Sequence, residues 1–298
     1  MILLLLITLL WAFSFSLIGV YLAGQVDSYF SVLTRVLLAT VVFLPLLNWR
    51  TPPRTAITLM TIGAVQLGMM YLFYYQSFLL LSVPEVLLFT IFTPVYIALI
   101  YNLLARRFTL GDSLWNLSVA AIAVAGAAVI RWDDLSEDYW LGFFVVQGAN
   151  LCFATGQVAY RQFMQSARTR GATLAPRETF GWFFIGASIV AVAAWLILGT
   201  PQYPTSGVQW AVLLWLGAVA SGLGYFLWNK GATQVSPATL AAMNNALIPA
   251  GLLVNLLIWN RDANLPRLIV GGLLIAAAVA ISEWRNKHRS SHIQGSSQ

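Results

Sequence analysis

Polar residues, prolines and glycines divide this sequence into ten long apolar runs, each long enough to cross a bilayer as a helix of about 20 residues. The runs cover roughly 2–23, 28–48, 56–79, 84–104, 113–131, 139–163, 178–198, 208–229, 236–258 and 266–284. They are too long for barrel strands of about 10 residues and lack strand alternation, whereas a helix satisfies its own backbone groups in hydrocarbon. We therefore predict an all-α integral membrane protein with ten transmembrane helices.

The composition excludes most other protein classes. Only 9% of the residues are charged and 59% are hydrophobic, which is too little polar surface for a water-exposed globule. The net charge of +6 is too scattered for nucleic-acid binding. A single cysteine, Cys152, and two histidines near the C-terminus, His288 and His292, offer no disulfide framework, metal site or catalytic triad. No phosphate-binding loop is present, so we expect no use of ATP by the chain itself. No buried acid–base or nucleophile constellation is visible in the sequence, so we expect no enzyme activity, and we expect no metal or cofactor.

The basic residues predict the orientation. With a cytoplasmic N-terminus, the outer side holds only Arg131, Arg261 and Arg267, while Arg35 lies inside a span. The inner connections hold the other twelve of the sixteen basic residues, namely Arg50, Arg54, Arg106, Arg107, Arg161, Arg168, Arg170, Arg177, Lys230, Arg285, Lys287 and Arg289. Because basic residues concentrate on the cytoplasmic side, we predict cytoplasmic termini and a bacterial inner-membrane location.

Two segments of the chain repeat at a shift of 154 residues. The matched pairs are Gly63 with Gly217, Tyr71 with Tyr225 and Ser82 with Ser236. Each segment precedes a run with a proline near its middle, Pro94 or Pro249. The repeat predicts two halves of five helices, 1–133 and 134–285, followed by a polar tail, 286–298. Because five is odd, the halves must be inverted relative to each other, as in many secondary transporters that work by alternating access.

Several short motifs carry a family resemblance over nearly the whole chain. They are Trp11-Ala-Phe-Ser-Phe-Ser, Arg35-Val-Leu-Leu-Ala, Thr93-Pro94-Val-Tyr, Ala220-Ser-Gly-Leu-Gly-Tyr-Phe-Leu-Trp228, Val235-Ser-Pro-Ala-Thr and Leu247-Ile-Pro249. In their order and spacing, the chain resembles the EamA-type group of the drug/metabolite transporter superfamily. This resemblance implies metabolite transport, often amino-acid export of the kind carried out by YddG-like proteins.

Polar residues within the spans are the candidates for a substrate pathway, because they are costly in a bilayer unless they face a bundle interior or a wet cavity. Gln147, Asn150 and Gln157 share one face of the sixth predicted helix at helical spacing. The other candidates are Trp11, Ser14, Tyr71, Tyr75, Thr93, Tyr96, Tyr225, Trp228, Asn244 and Asn245, with helix breaks at Pro94 and Pro249. Hydrogen bonding between helices and ordinary aromatic packing are the alternative interpretations.

Arg35 is the one charged residue that falls clearly within a predicted span. It could extend outward to water, form a structural ion pair with Glu85 or Asp27, or receive a substrate carboxylate. We expect the structural pair. Glu85 also suits the start of the fourth predicted helix, where a negative charge favours the helix dipole. No carboxylate lies deep in the first span, which argues against the proton antiport of small multidrug exporters in that superfamily.

The sequence thus predicts a secondary transporter that moves small polar metabolites, most favourably amino acids in the export direction, as a monomer or weak homodimer in the lipid bilayer. An alternative is an uptake transporter for a vitamin or an aromatic or cationic solute. A less favoured alternative is a membrane receptor or assembly subunit that transports nothing. For the pathway interpretation, we expect Gln157→Leu or Asn150→Leu to reduce transport more than folded yield.

Overall fold

The computed structural model describes residues 1–105, 138–171 and 174–259, together with isolated residues within 114–125 and 266–285. The predicted fifth span lies largely outside the described residues, the predicted tail lies wholly outside them, and the predicted tenth span is described only at scattered positions. Within the described part, eight helices are long and apolar enough to cross a membrane, and no strand occurs. The all-helical membrane architecture is therefore confirmed for this part, and the count of ten helices stays a prediction.

The eight helices have the following bounds: α1 Ile2–Tyr21, α2 Ser28–Phe43, α3 Pro53–Leu80, α4 Val83–Phe89 and Thr93–Ala105, α5 Tyr139–Thr169, α6 Pro176–Leu198, α7 Gly207–Ala232, and α8 Pro237–Asn245 and Leu247–Trp259. α4 and α8 each have two parts. A 3₁₀ turn, Thr90–Phe92, separates the parts of α4, and Ala246 separates those of α8. Both breaks lie just before the prolines noted in the sequence, because proline clashes with the carbonyl four residues earlier and cannot bond to it.

The two segments that match in sequence share an unusual backbone. α3 is π-helical over Ala64–Met69, and α7 is π-helical over Trp215–Leu223. π-Helical turns are rare and occur frequently at functional sites, since they shift the hydrogen-bond ladder and redirect carbonyl groups. The inverted arrangement of two five-helix halves stays a prediction.

Polar caps fix where several helices begin. Asp27 accepts a 2.6 Å hydrogen bond from the backbone N–H of Phe30 and caps α2. Ser82 and Glu85 form a capping box at α4, and Ser236 caps α8 by accepting a 3.0 Å bond from the N–H of Thr239. Ser82 and Ser236 are a matched pair of the sequence repeat, and both stand at the start of a broken helix. Such caps satisfy backbone donors that the first turn leaves unpaired.

Glycines allow α3 and α6 to cross with their backbones in contact. A Cβ atom added at Gly63 would lie 1.8 Å from the carbonyl oxygen of Phe183, and one added at Gly186 would lie 1.9 Å from that of Met60. Close approach of helices through small residues is the usual packing mode in membranes, where burial of apolar surface does not drive association. The tight crossing holds the third and sixth described helices together beside the bundle interior.

Candidate functional site

A central cavity lies within the bundle, lined by side chains of α1, α2, α3, α4, α5, α7 and α8. The cavity has a volume of about 90 Å³. This exceeds what one buried water molecule needs. The lining residues are Thr8, Trp11, Ser14, Phe15, Arg35, Met70, Tyr71, Tyr74, Thr90, Thr93, Ala149, Asn150, Phe153, Tyr225, Trp228, Asn244 and Leu247.

Most of the candidate pathway residues meet at this cavity. The structure brings eight of them to its wall: Trp11, Ser14, Tyr71, Thr93, Asn150, Tyr225, Trp228 and Asn244. The other five do not line it: Tyr75, Tyr96, Gln147, Gln157 and Asn245. Tyr75, Gln147, Gln157 and Asn245 are nevertheless hydrogen-bonded to the wall or to a helix break beside it, and Tyr96 donates to Gln147. The pathway role itself stays a prediction.

Arg35 is buried in the wall of the central cavity, with only 2% of its surface exposed. Its Nε atom donates a 2.6 Å hydrogen bond to Ser221 Oγ, and its Nη1 atom lies 3.4 Å from the Tyr75 hydroxyl. Its guanidinium carbon stands 4.2 Å from the centre of the Tyr71 ring. Among the described residues, no acidic side chain forms an ion pair with Arg35. A buried charge in this setting ordinarily marks a functional position.

Among the described residues, the expected ion pair between Arg35 and Glu85 is therefore not formed. Glu85 Oε2 accepts hydrogen bonds of 2.7 Å and 2.6 Å from the backbone N–H and hydroxyl of Ser82. Asp27, the other acid considered, caps α2 and accepts a 2.8 Å bond from the Thr200 hydroxyl. Local capping partners occupy both carboxylates, because a contact three residues away requires little ordering of the chain.

The π-helical part of α7 supplies polar groups to the cavity wall. The Ala220 carbonyl accepts a 2.8 Å bond from the indole N–H of Trp11, and Ser221 Oγ lies 2.9 Å from the Tyr71 hydroxyl as well as against Arg35. Ser221 thus links α2, α3 and α7. The sequence analysis missed this polar role of Ser221, because it depends on partners more than 140 residues away.

Aromatic rings form a continuous wall beside Arg35. The Tyr71 ring lies 5.8 Å from the Tyr225 ring, which lies 4.9 Å from Trp11 and 5.9 Å from Phe153. Trp228 lies 4.9 Å from Trp11 and donates its indole N–H to Gln157 Oε1 at 3.1 Å. Such spacings favour ring contacts that are tilted or edge-to-face. Phe153 was not among the candidates, although its spacing of three residues from Asn150 places it on the same helical face.

Carboxamides of α5 and α8 bond to the break in α4. Asn150 Nδ2 donates to the Phe89 carbonyl at 2.7 Å, and Gln147 Nε2 donates to the same oxygen at 3.2 Å. Asn245 Nδ2 donates to the Ile91 carbonyl at 3.2 Å and joins the break in α8 to the break in α4. Amide side chains thus satisfy carbonyl groups that an unbroken helix would satisfy itself. Paired helix breaks next to a cavity are typical of transporter binding sites.

Known proteins are similar to this chain over almost its whole length, although no family model matches it. It is 53% identical over 286 residues to a probable biotin transporter of Pseudomonas aeruginosa, covering 95% of this chain and 96% of that protein. It is 47% identical over 282 residues to a biotin transporter of Escherichia coli K12 and to one of Salmonella typhimurium, covering 94% of this chain and 91% of each relative. These relatives are transporters rather than enzymes.

A solved structure described as "Crystal structure of protein" has the same fold. Its TM-score is 0.71 at 16% sequence identity, and the match covers 94% of this chain and 96% of the other. Such low identity supports the fold alone.

The relatives correct the resemblance drawn from short motifs. The assignment to the EamA-type group of the drug/metabolite transporter superfamily, and to YddG-like amino-acid exporters, is wrong, because the highly identical relatives are named biotin transporters. The motifs consist largely of residues common to many apolar helices, and such patterns specify packing more than substrate. The relatives favour the alternative of a vitamin transporter over amino-acid export.

Proposed function

This chain belongs to the family of these bacterial biotin transporters, and from that premise we propose that it takes up biotin across the inner membrane, with Arg35 receiving the biotin carboxylate. The observation that supports this role is a buried guanidinium on the cavity wall with no acidic partner among the described residues. A carboxylate is the geometric match for a guanidinium fork and would neutralise its charge in a site of low polarity.

The aromatic wall suits the rest of the molecule. Biotin has an apolar thiolane ring and a chain of four methylene groups between its carboxylate and its cyclic urea. The rings of Trp11, Tyr71, Phe153 and Tyr225 offer apolar area beside Arg35, and ligand sites are commonly lined in this way with a few polar groups for orientation. We propose that the five candidate residues that do not line the cavity support its wall from behind through their hydrogen bonds.

The proposed architecture is that of ten helices in two inverted halves, 1–133 and 134–285, with both termini in the cytoplasm. In such transporters the site lies at the interface of the repeats, and access alternates between the two membrane faces. The proposal draws on the paired helix breaks and the paired π-helical segments, one of each in either half. We propose that the chain works as a monomer or weak homodimer.

The test measures uptake of radiolabelled biotin into proteoliposomes that contain the purified full-length protein. We expect Arg35→Gln to lower uptake at least about thirtyfold, since truncating one partner of a buried charged pair costs about 2–5 kcal/mol. Arg54→Gln is the matched control, because Arg54 is exposed and its replacement removes the same charge away from the cavity. In the wild type, biotin should compete for uptake and biotin methyl ester should not.

Two results would contradict the proposal. One is an Arg35→Gln protein that transports biotin at the wild-type rate. The other is an ester that competes as well as the free acid, because the ester carries no charge for the guanidinium. Liposomes that take up no biotin at all would favour a receptor or assembly subunit instead.

A further inference from the structure

Two asparagines present unused oxygen atoms to the central cavity. Asn150 on α5 and Asn244 on α8 both line it, with 4% and 8% of their surfaces exposed. Asn150 Nδ2 donates to the Phe89 carbonyl and Asn244 Nδ2 to the Leu240 carbonyl, each at 2.7 Å. A carbonyl oxygen only accepts hydrogen bonds, so these contacts fix which end of each amide is the nitrogen. Neither Oδ1 atom receives a donor from the described residues.

The two asparagines lie beside the same pair of helix breaks. Asn150 bonds to Phe89, the last residue of the first part of α4. Asn244 directly precedes Asn245, which bonds to Ile91 within the 3₁₀ turn of α4. The unused oxygens therefore belong to one region of the cavity, where α4, α5 and α8 meet. These oxygens are accessible in the empty cavity, and a ligand that covers them without offering a donor would lose free energy, so a ligand that brings N–H groups is favoured there.

A chain of aromatic rings connects the region of the two asparagine oxygens to the region around Arg35. Different helices form the two regions. Arg35 stands over Tyr71, Tyr71 contacts Tyr225, and Tyr225 contacts Phe153, which lies one helical turn from Asn150. Arg35 is held by α2, α3 and α7, whereas the asparagines lie on α5 and α8. A ligand with an anion at one end, an apolar middle and N–H donors at the other end would match this order.

We propose that Asn150 and Asn244 accept hydrogen bonds from the two N–H groups of the biotin cyclic urea and thereby make the site selective for a ureido ring. This inference rests on the proposed function, in which biotin is the substrate and Arg35 holds its carboxylate. Without the two acceptors, the cavity would take any apolar monocarboxylate of suitable length. With them, an analogue that lacks a urea N–H leaves a buried acceptor unpaired and binds more weakly.

The experiment compares two competitors against uptake of radiolabelled biotin in proteoliposomes. Unlabelled biotin has both urea N–H groups, and N-methylated biotin has one of them blocked while it keeps the carboxylate. In the wild type, the concentration of the methylated analogue that halves uptake should be at least about tenfold higher than that of unlabelled biotin, as expected for one lost hydrogen bond at a buried site. In the Asn150→Leu, Asn244→Leu double variant, this ratio should fall to within about twofold of unity.

The ratio of two inhibition constants does not depend on how much of the protein folds, so a lower yield does not affect the test. Asn255→Leu is the matched control. Asn255 is buried on the second part of α8, does not line the cavity and accepts a 3.2 Å bond from Ser16. Its variant should keep the wild-type ratio, and biotin methyl ester should remain a poor competitor in all variants.

The outcomes separate the two proposals. If the wild type takes up biotin and the methylated analogue competes as well as biotin does, the proposed role of the asparagines is overturned while the proposed function stands. This measurement needs no variant. A double variant that keeps the wild-type ratio would overturn it as well. Absence of biotin uptake by the wild type would overturn the proposed function and the inference with it.

Discussion

Replacing Arg35 with glutamine tests whether its charge is kept for a ligand or for the fold. Burying a charge costs several kcal/mol. Against this, the 2.6 Å bond to Ser221 contributes about 1.5–3 kcal/mol, and the contact with the Tyr71 ring contributes about 2 kcal/mol. The 3.4 Å contact with Tyr75 is long and adds little. The contributions nearly cancel, so Arg35→Gln should change the apparent melting temperature of the empty protein by less than about 4 °C.

Thermal unfolding in detergent measures this directly, since the chain has 12 tryptophans whose fluorescence reports unfolding. Biotin at 100 times its dissociation constant adds about 2.7 kcal/mol to the wild type, or about 5–11 °C for a chain of this size. With binding weakened at least about thirtyfold, the same concentration should stabilise Arg35→Gln by at most about 0.9 kcal/mol, or about 2–3 °C. Asp27→Ala is the control for a structural role, because it removes the cap of α2 and the bonds to Thr200. It should lower the melting temperature while biotin still raises it.

A melting temperature that drops by more than about 6 °C in empty Arg35→Gln would refute this reasoning. Breaking a buried ion pair costs about 3–5 kcal/mol, which corresponds to such a drop. Arg35 would then have a structural counter-charge. Equal stabilisation of both proteins by biotin would likewise refute it, because the ligand would then gain nothing from the guanidinium.

Two further predictions concern packing and orientation. Gly63→Ala should lower the melting temperature measured in the same detergent assay by the equivalent of about 1–3 kcal/mol or more, because the added Cβ would clash with backbone atoms of Phe183. Gly222→Ala is the control and should be neutral, since the atom nearest to its added Cβ is 3.5 Å away. A cysteine at Thr169, in a variant without the native cysteine, should react with a membrane-impermeant maleimide only after the cells are opened, and labelling of intact cells would contradict cytoplasmic termini.

The sequence predicts the spans well and their mutual contacts poorly. A run of about 20 apolar residues indicates a membrane helix by itself. It is harder to predict which face of that helix contacts a neighbour, because lipid-facing and buried positions are both apolar. Leu5 and Leu4 of α1 illustrate this, with exposed fractions of 51% and 0%. Arg35 is visible as a candidate, but its partner Ser221 lies 186 residues further along the chain. Only the folded bundle brings the two together.

Local and distant partners compete for the same side chain, and the competition explains why the expected ion pair of Arg35 does not form. Glu85 lies three residues from Ser82, so the capping box requires little loss of chain entropy. The same reasoning applies to Asp27, which bonds to the first turn of its own helix. Acids at helix starts are therefore poor candidates for pairing with a charge deep in a neighbouring helix, and the sequence pattern of Glu85 indicated this cap.

The charge balance of the central cavity also separates biotin from an amino acid. Among the described lining residues, Arg35 is the charged side chain, and it is a cation. A carboxylate that enters alone leaves the occupied site neutral. A zwitterionic amino acid also brings an ammonium group, and the described lining offers this group neutral oxygens and ring faces but no carboxylate. With its carboxylate on Arg35, the ammonium group would lie a few ångströms from the guanidinium, which would repel it. The carboxamides seen in the sequence could bond to an amino acid or to biotin, so they do not distinguish the two substrates. The absence of an acid beside the buried arginine, seen among the described residues, favours the monocarboxylate.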